Sequence, residues 1–388
     1  MLAAFLEAVV AAASAVVLLY QGWALWLAAE MPRLDPSPGP STEPTAPSVS
    51  VVIAARNEEL DLPGTLDSVL AQDYPNFEVV VVDGGSTDGT RGVIDARVPR
   101  VRRVDEPPLP GGWVGKSWAC WTGARETRGE WLLFLDADVR LDPRALRTAV
   151  GWVEREGASL ASLATEIEMV GFWERTVLPF YVQMVLTYFR APHVNRSSSR
   201  TAMANGQFCL VRRSEYEALG GHDAIRSHLL EDVALARRFK AAGRTIRIAF
   251  APELVRTRMY RDRREMFEGI RKTVHGTEFS AARQVGFLVG LVGLFWLPLA
   301  VLPLGLLTGD FLVTAFGALL AFALFAKHVV FARAVRAPAV YGLLFPLAVG
   351  FYVAAVASSL RHGLSGGSVA WKGRSYPVRP PDASRTAK

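Results

Sequence analysis

Four apolar runs frame this chain: Leu2–Ala29, Phe287–Leu307, Phe311–Ala326 and Ala339–Leu360. A helix needs about 20 apolar residues to cross a bilayer. Lipid offers backbone groups no partners, so a single run at that depth must be helical. The first run, broken only by Glu7 and Gln21, reads as an anchor over residues 1–30, with Trp23 and Trp26 near one interface. It lacks the basic leader of a signal peptide. Residues 286–360 read as three transmembrane or membrane-embedded helices, the first two joined by a tight turn at Gly309 and Asp310. Phe311–Ala326 is short and is expected to depend on snorkelling of Lys327.

Charge follows the same plan. The chain carries a net charge of +6 and is 51% hydrophobic. Its basic residues gather beside the apolar runs, in a segment at 256–285 and a tail at 361–388. That placement suits an anionic membrane surface and excludes a nucleic-acid partner, whose recognition helix would carry the charge instead. The positive-inside rule puts the middle of the chain, the 256–272 cluster and Lys327, Arg333 and Arg336 on the cytoplasmic side. The tail then falls outside, although it holds Arg361, Lys372, Arg374, Arg379, Arg385 and Lys388. Either the last apolar segment is re-entrant or the tail departs from the rule. Cys120 and Cys209 have neither zinc-site spacing nor a disulfide framework, and read as core residues of a reducing compartment. Nothing in the sequence fixes the oligomeric state.

A Pro-rich linker at 31–48 leads into an α/β pattern over 49–255. Val49–Ala55 and Phe77–Asp83 are expected strands, with a short third at Val101–Val104. Helices are expected at 62–70 and at Lys116–Arg128. Trp131–Asp138 reads WLLFLDAD, an apolar run fit for a strand buried on both faces, ending in carboxylates at i and i+2. Gly206–Val211 and Ile246–Ala251 are further strands, and Leu229–Ala242 a helix with Glu231 and Asp232 in its first turn. Phe172–Arg190 is an aromatic amphipathic helix that fits a core or a membrane surface equally. Alternating strands and helices imply a mainly parallel sheet with helices on both faces.

In such sheets ligands sit beyond the carboxyl ends of the strands. Asp136 and Asp138 fall there and face the same way, and two convergent acids call for a divalent cation that also holds a diphosphate. Together with Asp83, Glu231, Asp232 and the basic segment, they make the parts that nucleotide-sugar chemistry needs.

These stretches resemble the inverting family 2 glycosyltransferases. The likeness runs through SVSVVIAARNEE (48–59), VVVVDGGSTDGT (79–90), LFLDADV (133–139) and LLEDVALARRFKAAG (229–243). LPGGWVGKSWACWTGA (109–124) and WKGRSYP (371–377) are similar to the membrane-bound branch that glycosylates lipids such as hopanoids and carotenoids. The resemblance implies a Rossmann-like glycosyltransferase A-type domain in the cytoplasmic membrane, facing the cytoplasm, with a nucleotide diphosphate sugar as donor and a lipid as acceptor. It further implies Asp232 as general base, and Asp138 and Asp136 as holders of Mg or Mn. Donor contacts would come from Arg56, Glu58, Asp83, Lys116, Asp136 and Asp138. The sugar or acceptor would meet Asn205, Gly206, Gln207, Glu231 and Arg258, although Glu231 also reads as a helix-start acid. His222 reads as a turn histidine. Two departures stand out. The family's second acid after the second strand is Gly84 here, and the Gln-x-x-Arg-Trp of processive members is missing from VRTRMYRDRRE (255–265). The second departure favours transfer of one sugar. A polyprenyl-phosphate or exopolysaccharide sugar transferase, and a non-enzymatic membrane scaffold, are the competing readings.

Overall fold

The structure, a computed structural model, describes residues 2–36, 46–365, 368–371 and 374–377. The middle of the Pro-rich linker, and tail residues Lys372, Arg379, Arg385 and Lys388, lie outside the described residues.

Ten strands build the α/β region: Val49–Ala55 (β1), Phe77–Asp83 (β2), Arg102–Asp105 (β3), Trp131–Asp136 (β4), Val139–Leu141 (β5), Leu160–Ala164 (β6), Glu166–Ile167 (β7), Phe208–Arg212 (β8), Ile246–Phe250 (β9) and Val255–Thr257 (β10). Seven form one sheet in the order β3-β2-β1-β4-β8-β6-β9. Only β8 runs against its neighbours, so the sheet is mainly parallel as expected. The apolar runs are buried on both faces. Val51, Ile53, Leu133 and Leu135 pack on one side with Leu62, Leu66 and Leu146. Val52, Leu132 and Phe134 pack on the other with Cys120, Leu235 and Phe239. Register aligns Asp83 with Asp105 and Ala55, and Ala54 with Asp136, so acids collect along the carboxyl edge. The order reverses direction at β1, between β2 and β4, which is where such sheets bind ligands.

Several elements lie outside the sequence reading. The helix Ala145–Glu156 does carry a helical period, with Leu146, Ala149, Val150 and Val153 on its buried face, and was passed over, whereas β6 is short and β5, β10 and β7 form a separate sheet from strands of two or three residues.

Four helical segments are long and apolar enough to cross a membrane: Glu7–Ala29, Ala281–Thr308, Phe311–Ala334 and Ala339–Leu364. The expectation for the third segment is corrected here. Its helix continues to Ala334, and Lys327 does not snorkel; it is 4% exposed and donates to Gln183 Oε1. Gln183 comes from the helix Phe172–Phe189, which gives the ammonium a buried acceptor in place of the interface. That amphipathic helix lies between the α/β region and the apolar helices, burying Val177, Phe180 and Met184 against Ile270, Leu324, Phe345 and Tyr352.

Both ends of the fourth apolar segment meet the α/β region or its basic extension. Just before it, Arg336 pairs with Glu166 at 3.1 Å and with Glu253. Near its end, His362 lies 3.1 Å from an Arg271 nitrogen. Beyond it, Arg374 grips Glu106.

Candidate active site

One cavity of about 700 Å³ opens along the carboxyl edge of the sheet. Its floor is the turn after β4. Thr65 Oγ1 donates to the Ala137 carbonyl at 2.6 Å, and Thr257 Oγ1 to the Asp138 carbonyl at 3.2 Å, so the turn is pinned from both sides. Asp136 and Asp138 both line the cavity. Burial, then the charges of Asp136 and Glu58, push the Asp138 carboxyl up to about 7.

Lys116 stands in the first turn of the helix Gly115–Arg125, 2.7 Å from Asp136 Oδ1 and 2.6 Å from Glu231 Oε1. Burial alone would lower its ammonium, but Asp136, Glu231 and Asp232 outweigh burial and hold it well above its ordinary range. Glu231 is therefore more than a helix-start acid. Burial works against its charge, yet Lys116 and Lys272 keep the carboxyl below its usual value.

Asp232, next along the helix Glu231–Ala241, accepts from the Gly206 N–H and from its own helix at the Val233 N–H, both at 2.7 Å. Burial first, then Glu231, raise it to about 6 despite these bonds and Lys116. A Cβ on residue 206 would lie 2.9 Å from Lys116 Nζ and 3.2 Å from Asp232 Oδ2, so any side chain there would push the ammonium or the carboxylate aside. Asn205 and Gln207 flank it on the cavity wall, where Asn205 Nδ2 and Thr165 Oγ1 both donate to Gln207 Oε1, at 2.8 and 2.6 Å. Arg258 also lines the cavity, held by Glu174 at 2.9 Å.

Arg56 and Glu58, after β1, lie on the wall toward β2; Arg56 donates to the Gly84 carbonyl and the Glu58 N–H to Thr90 Oγ1 at 2.8 Å. Asp83 departs from the expected placement. Its side chain is 0% exposed and is engaged by the Ser86 N–H at 3.0 Å and Arg91 Nε at 2.7 Å, so it shapes the loop after β2 from behind. His222 is a buried turn histidine, 2.8 Å from the Tyr216 hydroxyl, and burial pulls it down to about 4. Glu106 and Arg374 are among the wall residues that the sequence reading did not place in the site. Glu106 follows β3, and Arg374 enters from the tail. The acid run at 105–106 and the WKGRSYP motif are their only traces in the sequence.

Among the described residues no cluster of three or more His, Cys, Asp or Glu side chains is set to hold an ion unaided. Asp138 nonetheless fits a shared ion. Its proton affinity is raised by burial first and by the neighbouring charges of Asp136 and Glu58 next, against the Lys116 ammonium, and a bound cation would relieve all three. Magnesium-type ions commonly take one or two carboxylates and complete their shell with phosphate oxygens and water.

Residues 50–220 match the profile of glycosyl transferase family 2. This likeness to the family 2 glycosyltransferases rests on that segment. The 4,4'-diaponeurosporenoate glycosyltransferases of Staphylococcus haemolyticus and Staphylococcus aureus are each 29% identical to the chain. The aligned parts cover 50% and 55% of this chain, and 52% and 57% of those relatives, so the chain spans little more than half their length. A mannosyltransferase from Pyrobaculum calidifontis, solved in complex with GDP-Man and Mn2+, superposes with a TM-score of 0.51 at 21% identity. That match covers 92% of this chain and 99% of the other, which makes the architecture glycosyltransferase A-like, with candidate membrane helices at both ends.

Proposed function

We propose that this glycosyltransferase moves a single hexose, with inversion, from a nucleotide diphosphate sugar to a lipid acceptor at the cytoplasmic leaflet. A hopanoid, a carotenoid or a similar terpenoid is the acceptor class. One observation carries the reading. The cavity that holds Asp136, Asp138 and Asp232 continues along Tyr181, Val185, Leu186 and Phe189, and on to Phe331 of an apolar helix and to Met31 and Val335 just past the ends of two of them. Carboxylates for a charged donor and an apolar arm for a greasy acceptor thus share one space. The names of the staphylococcal relatives agree with it.

In this reading Asp136 and Asp138 hold Mg or Mn together with the donor diphosphate. A divalent ion bound there would supply Lewis-acid stabilisation of the leaving group. Lys116 spends two N–H donors on Asp136 and Glu231, and an ammonium has three, which leaves one for the diphosphate. Asp232 takes the proton of an acceptor hydroxyl as its oxygen bonds the anomeric carbon and the sugar–phosphate bond breaks on the opposite face. The Gly206 N–H holds that carboxylate, and its raised proton affinity suits a base working near neutral pH. Asn205 and Gln207 face the transferred sugar, while Asp83 acts on the donor through the Ser86 loop.

The contacts at both ends of Ala339–Leu364 support a re-entrant last segment. The tail then stays on the cytoplasmic side, where its basic residues obey the charge rule.

The test is transfer itself. Membranes containing the protein, given radiolabelled nucleotide sugars, should pass label into the organic-soluble fraction as one sugar per lipid, and a chelator should stop this. Label in a polymer would support the exopolysaccharide reading, and label on a polyprenyl phosphate the other transferase reading. An absence of both transfer and donor hydrolysis would leave the scaffold.

A further inference from the structure

The apolar arm of the cavity has two helical walls. The amphipathic helix Phe172–Phe189 contributes Tyr181, Val185, Leu186 and Phe189. The apolar helix Phe311–Ala334 contributes Phe331 and Ala334. Apolar packing is non-directional, so by itself it fixes the register and spacing of two such walls only loosely. A directional contact crosses between them: Lys327 Nζ donates to Gln183 Oε1. Both residues are buried.

The surroundings make that bond hard to replace. Gln183 Nε2 has no hydrogen-bond partner among the described residues. Lys327 Nζ otherwise faces rings, Phe295 at 5.8 Å and Phe331 at 5.9 Å. Phe295 in turn meets Phe180 of the amphipathic helix edge-on at 5.0 Å. Polar heads in such a place must keep their partner, since parting them strands both where no water can take over. Lys327 also stands one helical turn before Phe331, whose ring lies against it and lines the arm.

Resting on the lipid-acceptor reading above, we propose that Lys327 and Gln183 are positioning residues for the acceptor. Their bond sets the separation of the two walls, and so decides how well a lipid fits the arm. Neither residue lines the cavity. They act through Phe331 on one wall and through Tyr181 and Val185, two positions to either side of Gln183, on the other. The donor end, built on β1, β4 and the Asp232 helix, does not depend on them.

The full-length protein in nanodiscs tests this with two readouts. Spin labels at R190C and R333C, beside the ends of the two helices, report the wall separation by double electron–electron resonance; Cys120 and Cys209 are buried. Transfer to geranylgeraniol, and to a total lipid extract of the producing cells, gives the acceptor KM. The wild type should show one narrow distance. K327M and Q183L should broaden it and raise the acceptor KM about tenfold, the scale of one buried hydrogen bond, with kcat and nucleotide affinity unchanged. K327M/Q183L replaces both partners by apolar residues and should regain the wild-type melting temperature. It should keep the broad distance and the raised KM, which a merely structural bond would not predict. A double variant with a narrow distance and the wild-type KM would overturn the assignment and leave a tie that only stabilises. Failure of the wild type to glycosylate either acceptor would instead overturn the lipid-acceptor reading, and the role of the bond with it.

Discussion

The Lys116 ammonium lies 2.6 Å from the Glu231 carboxylate, joining the helix Gly115–Arg125 to the helix that bears Asp232. Its second partner, Asp136 at 2.7 Å, ties both to the end of β4. Three chain segments therefore share one cation, and the acids around it stay close only because it is there. K116A should lower thermal stability and abolish transfer. Losing one partner of a fully buried pair costs about 3–5 kcal/mol. Lys116 is 31% exposed, so about 1–3 kcal/mol is expected. Adding E231Q should recover part of the melting temperature but no activity; thermal unfolding of the detergent-solubilised variants measures it.

If Asp232 is the base proposed above, it sets the pH dependence. A general base works only when ionised, and this carboxyl sits at about 6 because burial, then Glu231, disfavour its charge. The rate should fall as pH drops through about 6, rather than near the ordinary aspartate value of about 4. E231Q removes the like charge, so its acid limb should move to lower pH. A pH–rate profile of both proteins decides it, and a limb that stays put contradicts the assignment.

The apolar arm predicts a split between substrates. V185W places a large ring where the cavity turns toward the apolar helices. Lipid transfer should drop at least tenfold while nucleotide binding is unchanged, as titration alongside the transfer assay would reveal. Loss of both would mean that the arm is not a separate acceptor channel.

Much of this architecture can be read from the residues, and the part that cannot has identifiable causes. β1, β2 and β4 announce themselves because strands covered on both faces must be apolar throughout. The Asp136–Asp138 and Glu231–Asp232 pairs are visible because they end such a strand and open a helix. β5, β7 and β10 are too short to carry a period and exist only through one another. Lys327 next to an apolar run looks like an interfacial residue, and only the partner Gln183, 144 positions away, shows otherwise. Glu106 and Arg374, 268 positions apart, escape for the same reason. Asp83 was in plain view, but its direction depends on Arg91 across the loop.

The re-entrant reading of the last apolar segment predicts a labelling pattern. A membrane-impermeant maleimide applied to intact cells should modify T308C, at the turn between two candidate membrane-spanning helices, and leave S365C untouched until the cells are opened. Cys120 and Cys209 are buried and add little background. Equal labelling of both sites in intact cells would mean that the segment crosses.

The most direct test of the central claim, three carboxylates dividing donor binding and proton removal within one cavity, is the paired measurement of nucleotide affinity and lipid transfer on D232N. The amide keeps an oxygen for the Gly206 N–H but cannot serve as a base. Nucleotide affinity should match the wild type while transfer falls by roughly 10²–10⁴-fold, the usual share of general base catalysis. Transfer at the wild-type rate, or loss of nucleotide binding together with turnover, would contradict the account.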